Sequence, residues 1–207
     1  MKKLLIFDFD GTIANTKQVY YQEIYNSIKH LGYSYREIGK IINIGLSLKK
    51  TLRKFGLGFI SSWFLKKKIM SKVKNHINEI KKCKNTDSIK HIKIKKIIIT
   101  NSLKEFTISV IKHLKLKKCF SEIYTADDFS QKEDFIKDYL KKHKINAEDC
   151  IYIGDRATDT RVAKKSGCIS VIIANRCSWD SKKEILNSQP DFIISDLGEL
   201  HRILTQA

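Results

Sequence analysis

Asp8 and Asp10 stand two residues apart in the run Asp8-Phe9-Asp10-Gly11-Thr12, directly after the apolar segment Leu4–Phe9. A carboxylate pair at the C-terminal end of a buried strand projects into the crevice where open parallel sheets bind ligands. Like charges that close raise each other's pKa unless a cation lies between them. A hard cation with oxygen ligands resolves the repulsion, and Mg²⁺ fits, since it binds through few carboxylates plus substrate phosphate. Gly11 lets the backbone turn sharply as it leaves the strand. Taken alone, an acidic pair before Gly-Thr also reads as a plain strand-end turn.

A second pair follows the run Ile151-Tyr152-Ile153-Gly154, where Asp155 and Asp159 are spaced i, i+4. That spacing puts Asp159 one turn into the next helix, facing back toward the sheet edge. Asp155 alone could be a helix N-cap, but a cap does not explain two strand ends that both finish in paired acids. The run Ile97-Ile98-Ile99-Thr100-Asn101-Ser102 ends a strand in a hydroxyl and an amide. With backbone N–H groups at a helix N-terminus these make a phosphate cradle, although a plain helix cap is the commoner role. Lys132 stands 23 residues before Asp155, near the start of a helix, and among 40 Lys+Arg a single lysine carries no weight alone.

These residues need a scaffold, and the C-terminal two-thirds supplies one. Apolar, β-branched runs at Leu4–Phe9, Ile94–Thr100, Ser121–Thr125, Cys150–Gly154, Ile169–Ala174 and, more weakly, Phe192–Ile194 read as strands buried on both faces. They alternate with helical segments at 102–114, 131–143, 158–166, 181–187 and 196–205, the last capped by Asp196. This is the pattern of a Rossmann-like α/β fold with a parallel sheet. Residues 16–90 break the alternation with helical spacing such as Val19, Tyr20, Ile24, Ile28 and Leu31, and no convincing strand. The expected organisation is a core of residues 1–15 and 91–207 with a small all-helical cap, residues 16–90, inserted after strand one.

Five cysteines without a CxxC pair suggest neither a disulfide framework nor a zinc site. The apolar N-terminal run breaks at Asp8, too soon for a signal peptide, and no run is long enough to span a bilayer. A cytoplasmic protein with no membrane partner, monomeric or homodimeric, is expected. The formal net charge is +18, and residues 16–90 hold 17 basic against 4 acidic residues, +13. A polyanion-binding surface would account for this, but a solvated, lysine-rich helix face is the simpler account. Phe59, Trp63 and Phe64 near Lys66, Lys67 and Lys68 are expected in the cap's own core rather than on a base-stacking platform.

Taken in order, DxDGT after strand one, Thr-Asn after the next strand, a lysine and then GDxxxD resemble the haloacid dehalogenase superfamily. The branch it looks like is that of phosphoglycolate phosphatase and β-phosphoglucomutase, with an α-helical cap where residues 16–90 fall. Segment Gly45-Leu46-Ser47-Leu48 and the turn Lys164-Lys165-Ser166-Gly167-Cys168 also match that branch in placement. The resemblance implies a nucleophile at Asp8 and a general acid, then base, at Asp10. It implies Mg²⁺ held by the Asp8 carboxylate, the Asp10 backbone carbonyl and Asp155, with Asp159 in support, and a phosphoryl group held by Thr100, Asn101 and Lys132. Relatives that dehalogenate lack the second acid, so Asp10 points to phosphate esters. Three positions depart from the family pattern: Glu133 follows Lys132 where proline is usual, with Lys137 the substitute if the register slips; Arg156 follows Asp155; and Asn15 stands where an acid is common.

The implied activity is a Mg²⁺-dependent phosphatase for a small phosphorylated metabolite, with Lys49, Lys50 and Arg53 as candidate cap contacts. A phosphomutase is the enzymatic alternative. A binder or phosphatase acting on nucleotides or nucleic-acid ends is the third reading, and the one not favoured.

Overall fold

The structure, a computed structural model, describes residues 2–42 and 48–206, with the side chains of residues 48–50 and 206 outside the description. The family-like segment Gly45-Leu46-Ser47 therefore lies outside the described residues, as do the side chains of Leu48, Lys49 and Lys50.

The chain opens with β1 (Leu4–Phe7), followed by a tight turn and the two-residue β2 (Ala14–Asn15). Four helices come next: α1 (Lys17–Ile28), α2 (Tyr35–Ile42), α3 (Leu48–Lys54) and α4 (Phe59–Val73). The short β3 (Lys81–Lys82) returns the chain toward the sheet by pairing antiparallel with β2. Among the described residues this is the one strand in a stretch expected to be wholly helical. Two lysines give no apolar alternation, so only the backbone partner at Ala14–Asn15 makes them a strand.

Beyond it the expected alternation holds: β4 (Lys95–Ile99), α5 (Lys104–His113), β5 (Glu122–Tyr124), α6 (Lys132–Lys142), β6 (Cys150–Gly154), α7 (Ala157–Ser166), β7 (Ile169–Ile173), α8 (Lys182–Asn187), β8 (Phe192–Ile194) and α9 (Leu200–Gln206). Asp196 caps a short 3-10 turn, Leu197–Glu199, that leads into α9, its carboxylate accepting the Gly198 N–H at 2.8 Å. The strands form one parallel sheet in the order β5-β4-β1-β6-β7-β8. The strand order reverses beside β1, which pairs with β4 on one edge and β6 on the other. A crevice opens at such a switch point, outside the carboxyl ends of the strands.

Strand alternation sends side chains to two separate cores. Leu4 and Ile6 of β1 pack with Ile97, Ile99, Cys150 and Tyr152 under α6 and α7. Leu5 and Phe7 pack on the other face with Ile98, Ile151 and Ile153, in a cluster that runs on into Ile24, Ile28, Ile38, Leu52 and Ile69 of the inserted helices. Those helices share their apolar interior with the sheet. Leu4 through Phe7 are fully buried, and such burial contributes about 1.5–3 kcal/mol per large side chain.

The aromatics of α4 differ from expectation. Phe59, Trp63 and Phe64 are 60%, 41% and 62% exposed, with Lys67 Nζ 3.9 Å over the Trp63 ring. The helix buries Ser62, Ile69, Met70 and Val73 instead, mostly from its C-terminal half. All five cysteines are free thiols. No helix among the described residues is long and apolar enough to cross a membrane.

Candidate active site

β1 and β6 end side by side, and their last residues carry the acids. The Asp8 N–H bonds the Ile153 carbonyl at 2.8 Å, so Asp8 leaves the sheet level with the end of β6. The chain then turns at Gly11, whose φ is +79°; a Cβ there would lie 2.3 Å from Asp155 Oδ2 and 2.7 Å from Trp179 Cδ1. Glycine is needed at this point for both conformation and close approach. Gly154 is needed for close approach alone, since an added Cβ would sit 2.4 Å from Asp159 Cγ.

One carboxylate oxygen from each of Asp8, Asp155 and Asp159 falls within 4.8 Å of the others, and all three residues are buried. Asp8 Oδ1 accepts from Lys132 Nζ at 2.7 Å. Asp155 accepts from the Thr12 hydroxyl at 3.3 Å and the Trp179 N–H at 2.6 Å. Asp159 Oδ2 accepts the N–H groups of Asp155 (3.1 Å) and Arg156 (3.0 Å), while its Oδ1 accepts the Tyr152 hydroxyl at 3.1 Å. Asp155 is thus no helix cap; Asp159, reaching back from the first turn of α7, closes that terminus.

Asp10 stands apart from the trio. Its carboxylate accepts from the Thr16 hydroxyl at 2.7 Å and from the Ser102 hydroxyl. Burial is the main cause that pushes its pKa up to about 6, aided by the charge of Asp8 and opposed by the two hydroxyls and Lys132. Burial likewise lifts Asp159 to about 6, with Asp8 adding to the effect. Asp155 is driven well above the ordinary carboxylate range by burial and by the charges of Asp159 and Asp8. Burial pulls the Lys132 ammonium down, but Asp8 and Asp159 outweigh it and hold its pKa above the usual lysine value.

Three buried carboxylates facing one cation carry more negative charge than Lys132 balances. An all-oxygen donor set of this kind fits a hard divalent ion, so the residues present suit Mg²⁺.

Above the acids lies a cavity of about 450 Å³. Its floor and walls on the sheet side are Asp8, Asp10, Thr100, Asn101, Ser102, Lys132 and Asp159, with Arg156 and Trp179 at one flank. Its roof comes from the inserted helices through Tyr20, Ile24, Ile42, Thr51, Lys66 and Met70. The fold therefore brings together Asp8, Asp10, Thr100, Asn101, Lys132 and Asp159, with Asp155 buried directly behind. Thr100 is buried and its hydroxyl accepts the Ser102 N–H at 3.1 Å, whereas Asn101 is exposed at the mouth.

The departures from the family pattern have physical accounts. Lys132 reaches Asp8 while Lys137 faces outward, 4.0 Å from Asp134. Glu133, in place of proline, ties the start of α6 to the end of α7 through Lys165 at 2.9 Å and through the Ser166 hydroxyl on its carbonyl. Arg156 pairs with Asp180 at 3.2 Å and lies against Trp179. Asn15 pairs with Lys81 in the β2–β3 ladder, where chain enters and leaves the inserted helices. Among the candidate cap contacts, Arg53 is exposed and outside the cavity, whereas Lys66 of α4 is among the residues that line it.

Thr16 and Trp179 are absent from the sequence motifs, and Thr12, Ser102, Tyr152 and Lys66 lie in segments singled out there without the roles the fold gives them. Tyr152 left a signal. A tyrosine in the middle of an otherwise aliphatic buried strand carries a hydroxyl that must find a partner. Thr16 and Trp179, six residues from Asp10 and 24 from Asp155, belong to no such pattern and join the site only through the fold.

A parallel α/β sheet with paired acids at its switch point and a helical roof defines a Rossmann-like scaffold with a roofed ligand crevice. The model of the family described as haloacid dehalogenase-like hydrolase matches residues 5–173, and the chain belongs to that family. It is similar to the phosphoglycolate phosphatase of Vibrio cholerae, 27% identical over 110 residues that cover 52% of this chain and 48% of that protein. It thus spans about half the length of that relative. The phosphoglycolate phosphatase of Vibrio parahaemolyticus is 20% identical, over 98% of this chain and 96% of its own. A solved structure described as a predicted phosphatase from Clostridium acetobutylicum superposes with a TM-score of 0.84 at 20% identity, over the whole of both chains. That likeness is one of fold.

Proposed function

We propose that the protein is a Mg²⁺-dependent phosphatase that hydrolyses a small phosphate monoester by way of an aspartyl-phosphate on Asp8. The observation that carries this reading is Asp8 itself: a buried carboxylate held by Lys132 at 2.7 Å, beside two further acids and at the floor of a roofed cavity. The relatives named phosphoglycolate phosphatase support the same class of reaction.

In this reading Asp8 attacks phosphorus and the leaving oxygen departs with a proton from Asp10. A carboxyl whose pKa is about 6 is poised for that exchange near neutrality, and it then takes a proton from the water that opens the acyl phosphate. Lys132, the Thr100 hydroxyl and the Asn101 backbone hold the phosphoryl oxygens. Mg²⁺ would be held by the Asp8 and Asp155 carboxylates and the Asp10 carbonyl, with Asp159 in support, and would neutralise charge on the phosphoryl group. Residues 16–90 act as a cap on the core of residues 1–15 and 91–207. The apolar Tyr20, Ile24, Ile42 and Met70 exclude water from the cavity, and Lys66 and Thr51 face the substrate's remote end.

Phosphate release from a panel of small phosphate esters and nucleotides, with Mg²⁺ and with chelator, tests the proposal. Metal-dependent release confined to a few esters is the expected result. An isomerised ester with no free phosphate would assign a mutase, and no turnover of any kind by the folded protein would overturn the reading.

A further inference from the structure

We infer that Tyr152 is a positioning residue that holds the Lys132 ammonium against Asp8, and through it sets the affinity of the site for the phosphoryl group; the inference rests on the phosphatase reading for its purpose. Tyr152 is fully buried in the middle of β6, on the sheet face that carries α6 and α7. Its hydroxyl accepts from Lys132 Nζ at 2.9 Å and donates to Asp159 Oδ1 at 3.1 Å. Lys132 in turn donates to Asp8 at 2.7 Å, so Asp8, Lys132, Tyr152 and Asp159 form one continuous chain of hydrogen bonds.

The chain has a geometric purpose. Lys132 lies among several carboxylates, and a flexible ammonium among carboxylates can turn toward any of them. The phenol stands between the ammonium and Asp159 and occupies the acceptor oxygen that Lys132 would otherwise take. Asp159 Oδ2 is already engaged by two backbone N–H groups. With one donor directed to Asp8 and another to Tyr152, the ammonium keeps its third N–H for a ligand in the cavity, which Lys132 lines. The side chain reaches neither the cavity nor a reacting atom, and acts only through its neighbour.

Tyr152→Phe removes the hydroxyl and keeps the ring's packing. The experiment measures binding of inorganic phosphate in the presence of Mg²⁺ by calorimetry, for the unmodified protein and the variant, with thermal melts and steady-state kinetics alongside. Losing one hydrogen bond to a charged group weakens phosphate binding roughly tenfold or more. The melting temperature stays within a few degrees, and kcat falls along with the loss in phosphate affinity. Equal phosphate affinity in the two proteins would overturn the inference. So would a drop in melting temperature with phosphate affinity retained, which would make Tyr152 purely structural. Phosphate binding by the unmodified protein without turnover of any ester would sink the phosphatase reading alone, and the comparison of affinities would still decide the role of Tyr152.

Discussion

Asp159→Asn should stabilise the metal-free protein while weakening its response to Mg²⁺. Asp159 is buried, and its pKa stands at about 6 against an ordinary 3.8. At about 1.4 kcal/mol per factor of ten in the proton equilibrium, the folded state holds the ionised form about 3 kcal/mol less well than an unfolded chain does. The sign follows from proton counting. Between the two values the folded protein binds more protons than the unfolded one, so stability falls as pH rises through that window. The penalty is complete above pH 6 and absent below both values. Asparagine copies the neutral form and can still accept the two backbone N–H groups that Asp159 holds. In chelator at pH 7.5 the variant should therefore gain up to about 3 kcal/mol, or roughly 6–12 °C in melting temperature for a chain of this size. At pH 5 the gain should shrink to about half, because the natural carboxyl is by then mostly protonated when folded. Saturating Mg²⁺ adds about 2.7 kcal/mol to the unmodified protein at one hundred times Kd, and less to the variant, so the gap narrows or reverses. Melting curves at two pH values, with chelator and with Mg²⁺, read all of this. A variant destabilised equally at both pH values in chelator, with an unchanged Mg²⁺ response, would refute the charge-repulsion argument.

Asp8→Asn should lower turnover by about 10⁴-fold or more with the melting temperature held to within a few degrees, and retained activity would remove Asp8 as nucleophile. Asp10→Asn should suppress hydrolysis of alkyl phosphates far more than of aryl phosphates, because a phenolate leaves without much protonation; equal losses for both would argue against the acid role. Lys66→Met should reduce kcat/KM on the preferred ester roughly tenfold through KM, with kcat little changed, if the roof's cation meets the substrate's remote end; unchanged KM would place that lysine outside recognition.

Strand content was largely legible because β-branched runs buried on both faces leave an unmistakable apolar signature, as in Ile97–Ile99 and Cys150–Gly154. The short pairing of Lys81–Lys82 with Ala14–Asn15 was not, since its stability comes from a partner more than sixty residues away rather than from its own composition. The burial of α4 differs for a related reason: spacing alone does not say which part of the helix is covered, and its aromatic end is the exposed one. Lys132 could be named but not distinguished from its neighbours until β1 and α6 placed it 2.7 Å from Asp8.

Sequence by itself determined the types and order of Asp8, Asp10, Thr100, Asp155 and Asp159, which belong to short local motifs readable from adjacent residues. Tertiary structure alone decided what surrounds them. Asp10 acquires its raised pKa from burial and from the charge of Asp8, against the hydrogen bond from Ser102, 92 residues away, and Asp155 accepts from Thr12 and Trp179. The roof of the cavity comes from helices whose side chains converge only after folding. Identity is local, whereas desolvation, charge repulsion and cavity shape depend on through-space distances, which only the folded chain sets.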